Sequence, residues 1–337
     1  MVVRAVRVMV AGGYALYALA LLALWLMWLR YGERHWLLIG LCYAPPLLYA
    51  APLVPLFGAA LLLRNKRLLL PSVLLTVAVL AGPFDFQLPR PGTPTGSTSL
   101  KVLSYNVRAG LGGDGRGASD KVAAYLRESE ADLIGLQESR QPIDKKFSDP
   151  TPTITAAFPD YHVARGGHRQ ELVNLSRYPI LSQQEHDLNG YSPCLEIVVD
   201  VQGEKVRFLN VHVLTGDPKG VLKGKAAGRT DYLRQTARSR HEQTGALVDL
   251  IKSSDLPTIL VGDFNSPPGS QLHQALSTVL KDSWEVKGFG PGLTYRSDRP
   301  LWRIDYLWVS PTIGVESCRV EESRLSDHKP LGATYRW

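Results

Sequence analysis

The sequence predicts a membrane-attached α/β protein, with bilayer-crossing helices over residues 1–84 and a soluble domain of strands and helices over residues 100–337. Two observations support this division. Residues 1–99 are overwhelmingly apolar, whereas the remainder has the composition of an ordinary soluble domain. Beyond residue 100, short apolar runs typical of strands are separated by turns rather than by long helices, which excludes a simple βαβ array.

Three apolar stretches in the N-terminal region predict three transmembrane spans. The first, residues 8–29, carries no charge for 22 residues, enough to cross a hydrocarbon core of about 30 Å. The second, residues 36–63, contains four prolines, so we expect a kinked or broken helix, with a hairpin as the alternative. The third covers residues 68–84. The tryptophans near the end of the first stretch fit an interfacial aromatic belt.

The flanking cations predict the orientation of the domain. If positive charges stay in the cytoplasm, five of them mark that side: Arg4, Arg7, Arg64, Lys66 and Arg67. Three spans then place the soluble domain outside, giving a multi-pass protein of a bacterial-type plasma (inner) membrane with an extracytoplasmic domain. If the second stretch is a hairpin, the domain is cytoplasmic instead.

The net charge of +7 is concentrated in the membrane region. Residues 1–99 hold eight cations and two acids, a net charge of +6, which leaves +1 for residues 100–337. A near-neutral domain argues against a nucleic-acid enzyme. Residues 85–99 are rich in Pro, Gly, Ser and Thr and predict a tether without packing of its own. Cys194 and Cys318 leave open either a disulfide, if the domain is extracytoplasmic, or two buried free thiols.

Polar residues end several of the strand-like runs in the soluble domain. Asn106 lies in SYNV where the strand is expected to end, Glu138 follows LIGLQ, and His212 lies in NVHV. Asp263 and Asn265 follow the apolar run PTILV. Hard oxygen donors for Mg²⁺, a base for water and an imidazole facing phosphorus are what metal-assisted hydrolysis of a phosphoester requires. A single acid at a strand end is more often simply exposed to solvent. The prediction of a catalytic site therefore depends on the whole set of these residues and not on any one of them.

The C-terminal region adds a second acid–imidazole combination. Asp305 lies within the apolar aromatic run RIDYLWVS, where a buried carboxylate is costly unless it is paired. His328, in SDHKP, is an available partner whose tautomer and pKa such a pair would fix. Asp327 precedes it and offers one more carboxylate.

Taken in order, these motifs resemble the endonuclease/exonuclease/phosphatase superfamily, which includes deoxyribonuclease I, abasic-site endonucleases, neutral sphingomyelinases and inositol polyphosphate 5-phosphatases. The resemblance covers essentially all of residues 100–337. It implies a four-layer α/β/β/α sandwich with the site at one end of two mixed sheets. The motif NVHV and the presence of Arg108, where some repair enzymes have an acid, disfavour the DNA-repair branch.

The resemblance also implies roles for these residues. Glu138 would be the principal Mg²⁺ ligand (Mn²⁺ is an alternative), supported by Asn106 and Asp327. Asp263 would activate water, with Asn265 beside it on a phosphate oxygen. His328, paired with Asp305, would stabilise transition-state charge, and His212 would contact the phosphate or assist the leaving group.

Substrate binding is assigned to Asn106, to Arg177 and to three lysines of a basic segment after His212. That segment, residues 216–241, could grip an anionic headgroup, and a solvated loop leading into an exposed helix is the equal alternative. The lysines are Lys219, Lys223 and Lys225.

The sequence therefore favours a membrane-anchored, Mg²⁺-dependent phosphoesterase acting on a lipid or lipid-linked phosphate, with the bilayer as its other partner. Membrane spans followed by such a domain also resemble bacterial membrane proteins linked to teicoplanin resistance. A surface nuclease acting on DNA or RNA is the first alternative. A non-catalytic protein that only binds an envelope ligand is the second.

Overall fold

The structure is a computed structural model that describes residues 1–32, 38, 40–41, 43–143, 146–190, 193–215 and 226–337. Its N-terminal region contains one long helix followed by shorter ones. The helices described there are α1 (Val2–Tyr31), α2 (Pro46–Ala50), α3 (Leu53–Leu62) and α4 (Lys66–Ala81). Helices α1, α3 and α4 pack together, and Tyr14 and Ser72 share a hydrogen bond of 2.5 Å in their small core.

Within the described residues, only α1 is long and apolar enough to cross a membrane, so the structure supports one of the three predicted spans. Prolines break the second stretch into α2 and α3, since each removes a backbone donor. Helix α4 has 16 residues, short for a span. The predicted orientation is not supported either, because it requires Arg64, Lys66 and Arg67 to lie in a cytoplasmic connection between two complete spans.

The soluble domain consists of fourteen described strands and several helices. The strands are β1 (Ser99–Asn106), β2 (Leu133–Gln137), β3 (Gln141–Ile143), β4 (Lys146–Ser148), β5 (His162–Gly166), β6 (Leu172–Ser176), β7 (Ile180–Asp187), β8 (Pro193–Val201), β9 (Glu204–His212), β10 (Thr258–Asp263), β11 (Lys281–Asp282), β12 (Asp305–Val309), β13 (Gly314–Val320) and β14 (Leu331–Arg336). The helices are α5 (Ser119–Glu128), α6 (Thr151–Ala156), α7 (Ala226–Lys252), α8 (Gln271–Leu276) and α9 (Ser283–Lys287).

Two six-stranded mixed sheets face each other, as the predicted sandwich requires. One has the order β13-β14-β1-β2-β6-β5 and the other β11-β12-β10-β9-β8-β7. In each sheet the central pair is parallel, β1 with β2 and β10 with β9, and the outer strands are antiparallel. The carboxyl ends of β1, β2, β9 and β10 therefore mark one end of the sandwich.

Helices cover the outer faces of both sheets. Val122 and Leu126 of α5 pack on the first sheet, and Leu247 of α7 and Leu272 of α8 pack on the second. The larger core lies between the sheets, where apolar side chains alternate along the strands. The four layers of the predicted sandwich are thus present.

Polar side chains join the two sheets beneath the end that carries the predicted site. Asn210 of β9 accepts a hydrogen bond of 2.7 Å from Gln137 of β2 and donates one of 2.9 Å to Asn174 of β6. Gly135 permits this close approach, because a Cβ there would lie 2.5 Å from a methyl of Val261. The network is buried and fixes the register of one sheet on the other.

The segment that joins the helices to the domain is packed, so the prediction of a free tether is wrong. Asp85 forms an ion pair of 2.5 Å with the buried Arg303. The backbone of Arg90 donates to Val286, and Lys287 donates to the carbonyl of Arg90. The prediction failed because it was based on the scarcity of apolar residues in this segment. Backbone hydrogen bonds and one buried ion pair hold the segment instead, and composition does not reveal these.

The two cysteines of the soluble domain that the sequence left open are buried free thiols. Cys194 packs between its sheet and the outer helices, and Cys318 lies in the core between the sheets. Burial raises the pKa of both thiols, which keeps them protonated and unreactive.

Candidate active site

The predicted acid, amide and imidazole residues converge at one end of the sandwich. His212 and Asp263 end the parallel strands β9 and β10 and are register partners. Asp305 begins β12 and pairs in register with Asp263. Asn106 ends β1, and Glu138 follows β2. Strand pairing within each sheet, together with the packing of one sheet on the other, therefore brings together residues separated by up to about two hundred positions in the chain.

Unusual backbone conformations aim these side chains. A Cβ at Gly262 would lie 2.0 Å from the carbonyl oxygen of Val211, so glycine is required directly before Asp263. Asn265 has φ 47° and Glu138 has φ 51°, both in the left-handed region. A non-glycine residue in this region is uncommon, and such strain is concentrated at functional sites.

Asp263 is the hub of the site and is almost fully buried. One oxygen accepts from the backbone N–H of Asn265 at 2.9 Å, and the other accepts from the amide of Asn106 at 3.0 Å. Burial, the largest influence, raises the pKa of Asp263 to about 6, although the charge of His328 opposes the shift. A carboxylate with a pKa near the working pH is suited to accept a proton from water.

The structure brings Asp305 and His328 together as a buried pair. The Nδ1 atom of His328 lies 2.9 Å from one oxygen of Asp305, and its Nε2 atom lies 3.6 Å from Asp263. Burial by itself lowers the pKa of His328, but the charges of Asp305 and Asp263 outweigh it and raise the pKa to about 10. The ring is therefore an imidazolium at neutral pH, with Nε2 directed at the carboxylate hub.

His212 lies between three carboxylates, one of which the sequence analysis missed. Its Nε2 is 3.5 Å from Glu138 and 4.0 Å from Asp263, and its Nδ1 is 3.8 Å from Glu171. Burial lowers the pKa of His212, but Glu171, Glu138 and Asp263 together raise it to about 9. Glu171 escaped detection because it precedes β6 in a loop, with no strand-end motif around it.

Glu138, His212 and Asp263 form one of three described groups whose ligand atoms lie within 4.8 Å of one another, and all three of these residues line the same cavity. Two carboxylates and an imidazole suit a divalent cation that prefers oxygen, such as Mg²⁺ or Mn²⁺. Burial is the largest cause of the raised pKa of Asp263, and the charges of Asp305 and Glu138 add to it, so a cation beside these carboxylates would lower that pKa.

The two auxiliary ligands predicted from the sequence are placed differently. Asn106 turns its amide nitrogen to Asp263, and its oxygen accepts from the backbone N–H of Arg108. Asp327 lines the same cavity but forms an ion pair of 3.5 Å with Arg108. Among the described acidic and imidazole residues, Asp327 is not part of the group around Glu138.

These residues line a cavity of about 420 Å³, a size typical of small-ligand sites. Its wall includes further residues that carried no recognisable motif: Tyr43, Thr215, Tyr295, Arg296, Leu301, Trp302 and Ile304. Tyr43 comes from the N-terminal region, and its hydroxyl donates to the backbone carbonyl of Asn265 at 2.9 Å. The N-terminal region thus contributes directly to the site.

The predicted substrate-binding cations are not in the described part of this cavity. Arg177 lies at the other end of the first sheet, where it pairs with Asp132 at 3.0 Å and contacts Tyr161, so that prediction is wrong. The antiparallel pairing of β6 with β2 explains this, because the end of β6 lies beside the start of β2. Lys219, Lys223 and Lys225 fall outside the described residues.

The helical part of the basic segment is structural where it is described. Arg238 forms an ion pair with Glu242 on the surface of α7. Arg240 is buried and donates to the carbonyl of Leu214 and to the hydroxyl of Ser266. It thereby connects the loops that follow His212 and Asn265.

A model of the endonuclease/exonuclease/phosphatase family matches residues 103–328, which include every site residue described above except Tyr43. The chain belongs to this family. Members of the family are generally phosphoric ester hydrolases, usually with a divalent metal. No curated protein matches the chain.

Solved structures show the same fold. A family protein from Bacteroides thetaiotaomicron has a TM-score of 0.54 at 20% identity and covers 71% of this chain and 97% of its own. A mannosyl-6-phosphatase of the same species has a TM-score of 0.54 at 20% identity, covering 71% and 100%. The human Nocturnin catalytic domain with bound sulfate has a TM-score of 0.51 at 15% identity, covering 71% and 93%. At these identities the likeness establishes the fold alone.

Proposed function

We propose that this protein is a membrane-anchored, divalent-metal-dependent hydrolase of a phosphoric ester carried by a lipid or lipid-linked substrate. The observation that carries the proposal is the convergence of Glu138, His212, Asp263 and His328 on one cavity whose wall also includes Tyr43 of the membrane region. A binding protein has no need of a buried carboxylate with a raised pKa between two imidazolium groups.

The side chains support direct attack by water on phosphorus. Asp263 accepts a proton from the attacking water, and the bond from phosphorus to the leaving oxygen breaks on the opposite side. His328 carries the positive charge that stabilises the additional negative charge on the phosphoryl oxygens. His212, protonated at neutral pH, donates a proton to the leaving oxygen, so atoms and charge balance without a covalent intermediate.

Glu138 would be the principal ligand of the divalent ion, which would supply Lewis-acid activation of the phosphoryl group, while Asp263 and the protonated His212 beside it keep their roles in proton transfer. Glu138 accepts a hydrogen bond from Gln141, which orients its carboxylate toward the cavity. The chain's own contribution is to fix these donors before substrate arrives.

A lipid substrate is supported by the contact between the site and the N-terminal apolar region. Tyr43 and Trp302 connect the membrane region to the cavity wall, since the indole N–H of Trp302 donates to the carbonyl of Tyr43 at 3.0 Å. A site held at the membrane surface meets lipid headgroups at a high effective concentration. The near-neutral charge of residues 100–337 gives no comparable support to a polynucleotide substrate.

The test is a substrate panel offered to the full-length protein in detergent with Mg²⁺. A lipid pyrophosphate, a phospholipid, a sugar phosphate and single-stranded DNA are supplied in parallel, and released phosphate or headgroup is measured. We expect turnover of a lipid substrate. Cleavage of DNA alone, with the steep salt dependence of polynucleotide binding, would instead establish a membrane-anchored nuclease.

A further inference from the structure

Tyr43 contacts two separate loops of the catalytic cavity, one through its side chain and one through its backbone. The residue lies in the turn before α2 and is half-buried. Its hydroxyl donates to the backbone carbonyl of Asn265 at 2.9 Å. Its own backbone carbonyl accepts from the indole N–H of Trp302 at 3.0 Å. One residue of the N-terminal region therefore joins two loops that are distant from it and from each other in the sequence.

The first loop holds Asn265 in a conformation that needs support from its surroundings. Asn265 has φ 47°, in the left-handed region, which is unfavourable for a residue with a side chain. Its backbone N–H donates to Asp263 at 2.9 Å, and its side-chain amide donates to the carbonyl of Val213 at 3.0 Å. Such a conformation persists only where the surrounding structure fixes it from several sides. The hydroxyl of Tyr43 supplies the contact to the backbone carbonyl of Asn265, and it thereby supports the N–H that orients Asp263.

The second loop connects Trp302 with His328. Trp302 and Tyr295 form a short antiparallel bridge with backbone hydrogen bonds of 2.8 and 2.9 Å. Tyr295 forms a further bridge with His328, and the two rings pack with their centroids 4.7 Å apart. Tyr295 thus links Trp302, and through it Tyr43, to the imidazolium of the site.

The guanidinium of Arg240 packs against the ring of Tyr43. Its central carbon lies 5.4 Å from the ring centroid, a distance typical of a cation–π contact. The same buried guanidinium donates to the carbonyl of Leu214 and to the hydroxyl of Ser266. Because Ser266 directly follows Asn265, Tyr43 and Arg240 support the same loop, one from the N-terminal region and the other from the catalytic domain.

From these contacts we infer that Tyr43 is a positioning residue for hydrolysis, which keeps the loops of Asn265 and Trp302 in their productive places. The inference rests on the proposed function for the reaction, whereas the contacts themselves do not depend on the substrate. Tyr43 acts through Asn265, and so through the hydrogen bond that orients Asp263. Small displacements of catalytic groups are costly to the rate. Through this one residue the N-terminal region has a second role besides that of an anchor.

Tyr43→Phe tests the inference, because it removes the hydroxyl and keeps both the ring beside Arg240 and the carbonyl that binds Trp302. Tyr14→Phe is the matched control, since the hydroxyl of Tyr14 is bonded to Ser72 in the core of the N-terminal helices. Full-length protein in detergent is assayed with Mg²⁺ on a chromogenic phosphodiester and a chromogenic phosphomonoester. We expect Tyr43→Phe to lower kcat and kcat/KM equally, by about two- to tenfold, the equivalent of one net hydrogen bond. Tyr14→Phe should keep the wild-type kcat.

Hydrogen exchange separates this inference from the proposed function. The backbone N–H of Asn265 is protected by its bond to Asp263, and a loosened loop would open to solvent more often. Mass spectrometry of the full-length protein in detergent, without substrate, should show faster exchange of the peptide that contains Asn265 in Tyr43→Phe and not in Tyr14→Phe. This result supports the inference even if neither ester is hydrolysed, an outcome that would count against the proposed function alone.

Wild-type exchange or a wild-type kcat in Tyr43→Phe would overturn the inference and leave the hydrolase proposal intact. An equal loss of kcat in Tyr14→Phe would also overturn it, because the effect would then be a general destabilisation of the N-terminal helices. If Tyr43→Phe does not fold, Trp302→Phe removes the hydrogen bond at the other end of Tyr43 and keeps a ring in the cavity wall. That variant should also speed exchange of the peptide that contains Asn265, and unchanged exchange would contradict the inference.

Discussion

At the scale of single residues, the site depends on carboxylates that are held close together before any cation arrives. Glu138 and Asp263 both approach His212, and Asp263 also faces His328. Each imidazolium partly neutralises the acids, which keeps the cluster stable inside a largely buried cavity. The residues therefore specify both a cation site and a proton acceptor.

Replacing Glu138 by Gln should remove most of the affinity for a divalent metal. The change deletes one negative charge from the group that fits an ion and keeps the size of the side chain. A ligand that binds only the folded state adds about 2.7 kcal/mol to the free energy of unfolding when its concentration is about a hundred times Kd. The melting temperature rises as a result. We expect Mg²⁺ or Mn²⁺ to raise the Tm of the wild type and of the exposed control Glu128→Gln. An equal rise in Glu138→Gln would show that the metal binds elsewhere.

Replacing Asp305 by Asn should lower the pKa of His328 from about 10, because the charge of Asp305 is the largest influence that opposes burial. The sign follows directly, since losing a nearby negative charge destabilises the imidazolium. Histidine-selective labelling and an NMR titration would measure the shift. The same variant should lose about tenfold or more in hydrolysis through misorientation of the ring. An unchanged titration of His328 would contradict the pairing.

At the scale of elements, the ends of four parallel strands form the site, and a buried ion network attaches the connecting segment to the domain. Arg303 pairs with Asp85 and with Asp282, and Asp282 also contacts His273. The network links the chain just after α4 to the start of β12. It explains why the connecting segment has a fixed course despite its loop-like composition.

Asp282→Asn should destabilise the protein at neutral pH and much less in acid. Burial alone raises the pKa of Asp282, but the charge of Arg303 and the contact with His273 outweigh it and lower the pKa below 3.8. A lowered pKa in the folded state stabilises the fold above pH 3.8 and loses that contribution as the pH falls through the folded value.

Breaking such a buried pair costs about 3–5 kcal/mol. Denaturant unfolding at pH 7 and pH 3 would measure the difference between Asp282→Asn and the wild type, with exposed Asp160→Asn as the control. A difference that stays constant across this range would contradict the ion-pair account.

The strand ends were predictable from the sequence because they follow apolar runs, whereas long-range contacts were not. The motifs around Asn106, Glu138 and Asp263 lie where a strand ends, and His328 lies just before the last strand, so the apolar runs and their order placed these residues. Glu171 and Tyr43 lie in loops or turns without periodicity, and only the fold brings them to the cavity. The prediction for Arg177 was wrong because it did not take account of strand direction. Strand β6 runs antiparallel to β2, so the residue after β6 lies at the end of the sheet opposite the site.

At the scale of the whole molecule, a single helix long enough to cross a bilayer is attached to a family hydrolase fold. The surfaces of α1 and α4 expose large apolar side chains, including Leu16, Leu19, Val73 and Leu74. The hydropathy pattern identifies three apolar stretches. It does not show which of them form uninterrupted helices, because helix length also depends on the positions of prolines and on packing.

The protein should remain in membranes after alkaline carbonate washing, because α1 has the length and hydropathy of a true span. Sedimentation of membranes from expressing cells, with immunodetection of the pellet and supernatant, measures this. The control is a chain beginning after residue 84, which lacks the helices. Release of the full-length protein by carbonate would show that α1 does not span the bilayer.

The measurement that tests the central claim most directly is hydrolysis of a phosphoric ester by the full-length protein and by Asp263→Asn, each with Mg²⁺ or EDTA. Asp160→Asn serves as the control for an exposed acid. We predict turnover by the wild type and the control in Mg²⁺, its loss in EDTA, and a decrease of about 10²–10⁴-fold in Asp263→Asn with an unchanged fold. Hydrolysis that persists in Asp263→Asn at the wild-type rate would show that this site is not the catalytic centre.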